Sequence, residues 1–147
     1  MTLLNETHDI NLSSWVTSAN DKSDFPIQNL PFATFKAKGT DESNRGAVAI
    51  GDYVLDMAAV AQLKIFTGIA QKAAEAAAQP TLNTLMAMGK EANSALRLAL
   101  SKALRSGACD EVKLCKCLVL QSDVVYGMPC QIGDYTCLLY QSDAAVE

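Results

Sequence analysis

The chain has 147 residues, half of them apolar and 19% charged, with a formal net charge of −4. That length fits one domain, which buries roughly 70% of its unfolded surface without needing staples, and the composition excludes a disordered chain. A negative balance without clustered Lys and Arg excludes a nucleic-acid footprint, and no apolar stretch approaches the roughly 18–20 residues that span a bilayer.

In chain order, Met1 to Lys22 is polar and rich in Ser, Thr, Asn and Asp, so it reads as a lead segment, mostly loop, with Trp15 docking on the domain. The opening MTLLNETHDI has no basic segment and no long apolar run, which argues against a secretory signal and for the cytoplasm. Pro26 and Pro31 then bracket a turn-rich stretch, because each fixes its own φ and biases its predecessor away from helix. Phe32 and Phe35 lead into a short strand. The run AVAIGDYVLDM, Ala47 to Met57, predicts a hairpin turning at Gly51-Asp52, where glycine accepts the positive φ of a two-residue turn.

From Ala58 the period changes to helical. Helices are expected over Ala58–Phe66, over the alanine-rich Ile69–Gln79, over Leu82–Met88 and over Lys90–Arg105. The last is the strongest, with Ala92, Leu96, Leu100 and Leu104 in one stripe and Gly107 placed to cap it. The alanine run reads as a packed helix rather than a membrane-surface or partner helix, since its apolar side chains are small. Val112 to Leu120 alternates and predicts a strand, with Cys115 and Cys117 on one face. A loop with Pro129, Gly133 and Asp134 follows. The fold class is α+β.

Little here carries chemistry. The only histidine, His8, lies in the polar lead and reads as solvated, which disfavours Ser-His-Asp and Cys-His machinery. Neither phosphate-cradling glycine pattern occurs. Asp41/Glu42 and Asp110/Glu111 read as solvated surface, and Asp24, Asp52, Asp56 and Asp134 as turn residues bonding local backbone. The five cysteines, Cys109, Cys115, Cys117, Cys130 and Cys137, form no Cys-x-x-Cys pair, so free thiols are expected in place of disulfides or structural zinc.

Four motifs in fixed order add a resemblance. SDFPIQNLPFATF at Ser23–Phe35, AVAIGDYVLDM at Ala47–Met57, QPTLNTLMAMGKE at Gln79–Glu91 and IGDYT at Ile132–Thr136 resemble the fumarylacetoacetase family, from about Ser14 to Thr136. The resemblance implies hydrolysis of a carbon–carbon bond in 4-fumarylacetoacetate to fumarate and acetoacetate, the last step of tyrosine and phenylalanine breakdown. It implies a cytosolic homodimer using calcium or magnesium. It further implies a small N-terminal barrel resembling a Src-homology-3 fold with attached helices, and a larger C-terminal domain that holds most of the site. There the metal would stabilise an enolate leaving group as a Lewis acid, and a carboxylate-assisted His would activate water.

The pattern departs where the chemistry begins. In the family an Asp that binds the metal follows IGDYT, and here that position is Cys137. Leu139 and Ala144 stand where the substrate-contacting Tyr and the catalytic His belong, and Tyr140 is one residue late. No catalytic, metal or substrate residue is therefore carried over, and Asp134 and Tyr135 are read as structural. The expected organisation is a variable lead at 1–13, the family's N-terminal domain at 14–136 and a divergent tail at 137–147. The expected role is that of a truncated form without the catalytic domain, inactive alone and binding neither nucleic acid nor membrane. The alternative is a stand-alone binding module that docks on full-length enzyme or another partner. In either case apolar residues between Val124 and Ile132 are expected to be exposed.

Overall fold

The computed structural model describes residues 5–134. Five antiparallel strands, β1 (Phe32–Ala37), β2 (Arg45–Ile50), β3 (Tyr53–Asp56), β4 (Leu118–Leu120) and β5 (Val124–Tyr126), form one sheet in the order β4-β3-β2-β1-β5. The hairpin expected at Gly51-Asp52 is present: Ile50 pairs with Tyr53 around it, and Gly51 has φ +54°. Consecutive strands β4 and β5 lie at opposite ends of the strand order, joined only by the 3-10 turn Gln121–Asp123. A flat sheet would hold its edge strands about 19 Å apart, at roughly 4.8 Å per neighbour. The link reaches at most about 14 Å, so the sheet must curl into a half-barrel.

Curling gives the sheet two buried faces. Phe35, Ala47, Val54 and Val124 fill the inside of the curl, with Val119 packed against them. Val48, Ile50 and Leu55 face the helices. β2 is buried on both sides, which is why its sequence runs apolar from Ala47 to Ile50 instead of alternating.

The helices follow the predicted periods. They are α1 (Met57–Leu63), α2 (Gly68–Ala77), α3 (Asn83–Ala87), α4 (Gly89–Leu104) and the short α5 (Glu111–Leu114). Asp56 ends β3 and caps α1, its Oδ1 accepting from the Ala58 and Ala59 N–H groups at 2.9 and 3.2 Å. The alanines of α2 are buried at Ala73, Ala74, Ala76 and Ala77. Their small size lets the helix lie close to β2, and a Cβ on Gly46 would sit 1.6 Å from the Ala77 carbonyl oxygen. The predicted stripe on α4 is buried at Ala92, Leu96, Leu100 and Leu104.

The lead docks as expected, and does more. Trp15 Nε1 donates to the Ala103 carbonyl at 3.0 Å, and Ser14 Oγ to the Leu104 carbonyl at 2.6 Å. These bonds satisfy the terminal carbonyls of α4, so Gly107, at φ +82°, belongs to the following turn and not to the cap. Glu6 pairs with both Lys102 and Arg105 at that same helix end.

The stretch read as a strand over Val112–Leu120 is mostly helical. α5 and the 3-10 turn Cys115–Cys117 precede β4, which holds only Leu118–Leu120. The buried residues are Leu114 and Cys117, three apart, while Val112 is 73% exposed and Cys115 is exposed as well. The apparent alternation of this stretch coincided with a helical spacing, which outweighs it once the turn packs.

One charged network ties the strands together. Arg45 Nε donates to Asp56 Oδ2 at 2.6 Å and Nη1 to Glu42 Oε1 at 2.8 Å, and the guanidinium lies 4.5 Å from the centre of the Phe35 ring. Burial opposes the Arg45 charge, but the bonds to Glu42 and Asp56 prevail and hold its pKa up. Glu42, expected to be merely solvated, also accepts from the Ala37 N–H at 2.6 Å. That bond, followed by Arg45, keeps the Glu42 carboxyl below its ordinary value of 4.5.

This packing carries two testable outcomes. Gly46→Ala should destabilise the fold by about 3 kcal/mol or more, because backbone on both sides must move; urea unfolding measures it, and a loss under about 1 kcal/mol would contradict the close approach. Glu42 has a lower pKa folded than unfolded, so the stability it contributes is present above the ordinary carboxylate range and lost as pH falls through the folded value. Glu42→Gln should therefore lower the urea midpoint at neutral pH and approach the unmodified protein as the pH falls through the lowered value of the folded carboxyl.

Candidate functional site

The candidate catalytic groups stay apart. His8 ends a 3-10 turn in the lead, exposed, its Nδ1 accepting from the Asn5 N–H at 3.3 Å. Cys109, Cys115, Cys117 and Cys130 are free thiols. Burial, then the nearby charges of Asp56 and Cys115, pushes the Cys117 thiol up, away from reactivity. Among the described residues no group of three or more His, Cys, Asp and Glu could hold a metal ion. Asp134 is exposed; Tyr135, Cys137, Leu139, Tyr140, Ala144 and the rest of the 137–147 tail lie outside the described residues.

The residues that do converge form the path by which the chain leaves the sheet. β5 pairs with β1, Tyr126 opposite Phe35. The Gly127 N–H then donates to the Thr34 carbonyl at 2.9 Å, and Thr34 Oγ1 donates to the Met128 carbonyl at 3.1 Å. The Leu82 N–H donates to the Pro129 carbonyl at 2.7 Å. Asn83 Nδ2 donates to the Gln131 carbonyl at 3.0 Å, and the Gln131 N–H donates to Asn83 Oδ1 at 2.8 Å. The QPTLN stretch thus places Leu82 and Asn83 on the exit chain. The sequence marked that stretch only as a motif, and nothing in its spacing pointed to a role.

The backbone here is pinned, yet the side chains are bare. Val124 turns into the sheet, but Val125 and Tyr126 are about half exposed, Met128 is 67% exposed and Ile132 60%. Partial burial raises the Tyr126 pKa, and its hydroxyl donates to Gln121 Oε1 at 2.8 Å. Beside the exit chain an open cavity of about 600 Å³ lies between Asn44, Pro80, Thr81, Met128, Cys130 and Ile132. Its lining mixes apolar side chains with amides, a surface suited to receiving another surface. A second open cavity, of about 640 Å³, has one lysine, Lys22, and two aspartates, Asp24 and Asp52, on its rim.

Comparison with known proteins locates the resemblance. Residues 28–129 match the family model described as Fumarylacetoacetase N-terminal. The chain is 42% identical over 120 residues to the fumarylacetoacetase of Oryza sativa subsp. japonica, covering 78% of this chain and 28% of that protein. It is 40% identical over 129 residues to that of Arabidopsis thaliana, covering 85% and 30%, and 38% identical over 128 residues to that of Homo sapiens, covering 84% and 30%. The chain thus spans less than a third of the length of these relatives.

If the bare side chains at the exit are a surface awaiting a cover, removing them should make the protein less sticky without unfolding it. Met128→Ser with Ile132→Ser should at least halve the fluorescence of a bound hydrophobic dye and leave the urea midpoint unchanged. Undiminished dye binding would move the sticky surface elsewhere.

Proposed function

Since the chain belongs to the fumarylacetoacetase N-terminal family, we propose that it acts as the non-catalytic front domain of a fumarylacetoacetase-type hydrolase and has no turnover of its own. The observation that carries this is the exit face at Val125–Ile132, which runs across the end of the family match at residue 129: its backbone is pinned and its apolar side chains are exposed. The reaction served would be cleavage of 4-fumarylacetoacetate to fumarate and acetoacetate, and the partners a catalytic C-terminal domain and, through it, a second subunit. We place the domain itself at residues 14–136, with a variable lead at 1–13 and a divergent tail at 137–147. Free thiols among the described residues and the lack there of any helix long and apolar enough to cross a membrane support a reading as a cytoplasmic protein.

The strand order β4-β3-β2-β1-β5, with a 3-10 turn joining the two edge strands, supports a small Src-homology-3-like barrel with attached helices. Calcium and magnesium take oxygen donors. At the position where the family has a metal-binding Asp this chain has Cys137, a soft sulfur donor, and the described residues bring no carboxylate cluster to replace it. Among the described residues none fits that ion, and with Cys137 in place of the Asp we assign the metal chemistry to the catalytic domain.

Two measurements test the reading. The purified chain, given 4-fumarylacetoacetate with calcium or magnesium, should show no turnover above the uncatalysed background; turnover abolished by a chelator would overturn it. A chimera in which residues 28–129 replace the matching segment of the rice fumarylacetoacetase should keep at least about a tenth of that enzyme's kcat/KM, a loss of no more than roughly 1.4 kcal/mol. A folded but inactive chimera would show that this domain does not serve that enzyme.

A further inference from the structure

The Asn83 carboxamide carries a donor and an acceptor side by side, as a peptide group does. By giving one to the Gln131 carbonyl and taking the other from the Gln131 N–H, it makes the two-bond ring that one strand residue makes with its neighbour in an antiparallel ladder. One side chain thus stands in for a strand. The exit chain is held at Gly127, Met128, Pro129 and Gln131 in succession, although Met128, Gln131 and Ile132 are exposed.

An exposed segment past the last strand ordinarily frays. Nothing in side-chain burial holds this one, since its apolar groups face outward. The grip is on the backbone: Thr34 holds Gly127 and Met128, the Leu82 N–H holds Pro129, and the last hold, at Gln131, is that of Asn83, which begins α3 between buried Leu82 and Leu85. Pro129 stiffens the same stretch by fixing its own φ.

We propose that Asn83 is a positioning residue, a clamp that sets the direction in which the chain leaves the domain and so fixes the start of whatever is joined to it. For its consequence the proposal rests on the front-domain reading. The family's first metal carboxylate falls at the position of Cys137, six residues beyond Gln131 in the sequence, so the direction set at Gln131 is the starting direction of the segment that leads to it.

The direct test uses the full 147-residue chain. Asn83→Ala should speed amide hydrogen exchange at Gln131 at least tenfold while the amides of β1, β2 and β3 keep their protection. Gln131→Pro removes one of the same hydrogen bonds from the other partner, and both variants should lower the NMR order parameter at Ile132 below about 0.6. Unchanged exchange and order would overturn the clamp. So would a fall in melting midpoint in step with the loss of order, since Asn83 would then be a general stabiliser. In an active rice chimera extended to carry residues 28–134, so that Asn83 and Gln131 both come from this chain, Asn83→Ala should lower kcat about tenfold with KM held within twofold, and an unchanged kcat would remove the positioning role. An inactive parent chimera would count against the front-domain reading alone, because the exchange experiment judges the clamp independently.

Discussion

Between Leu120 and Val124 the chain has three residues in which to cross from one edge of its sheet to the other. That shortage of length shapes the rest of the fold. It bends the sheet, and the bend creates an interior for Phe35, Ala47, Val54 and Val124. It also lays β5 against β1, so that Thr34 can receive the chain as it leaves and pass it to Leu82 and Asn83. The exit path therefore depends on the curl of the sheet.

The network around Arg45 spans the same curled sheet. Phe35 lies under the guanidinium, Asp56 accepts from it, and Glu42 reaches from it to the β1 backbone. Three strands are registered by one cation, and the two oxygens of Asp56 divide the work, one taking Arg45 and the other capping α1. Because Arg45 and Asp56 are only partly exposed, the pair is screened less than an open surface pair would be.

Local chemistry made most of this legible. The Gly51 turn and the stripe on α4 needed only a period and a glycine, and both lie where the pattern put them. The misreading at Val112–Leu120 has a physical cause: a short polar-apolar alternation satisfies a strand and a helical turn equally, and packing of Leu114 and Cys117 decided between them. β5 has no such signal, because three residues, two of them exposed, leave no pattern of burial to read. The site was less legible still. The bonds of Asn83 reach 48 residues along the chain, and a side chain imitating a strand has no periodic signature. The family was readable from motifs, but the work those motifs do was readable only from hydrogen bonds.

The docking of the lead on the far end of α4 has an architectural consequence. Glu6, Ser14 and Trp15 gather at the Leu104 end of that helix, whereas Asn83 and the exit chain lie toward its Gly89 end, where Asn93 bonds the Leu85 and Gly89 carbonyls. Sixteen helical residues separate the two, about 24 Å at 1.5 Å per residue. The described domain is polarised, with the lead docked at one end of α4 and the exit chain held at the other. A change at Glu6, Ser14 or Trp15 therefore acts on the exit face only at a distance, through the length of α4.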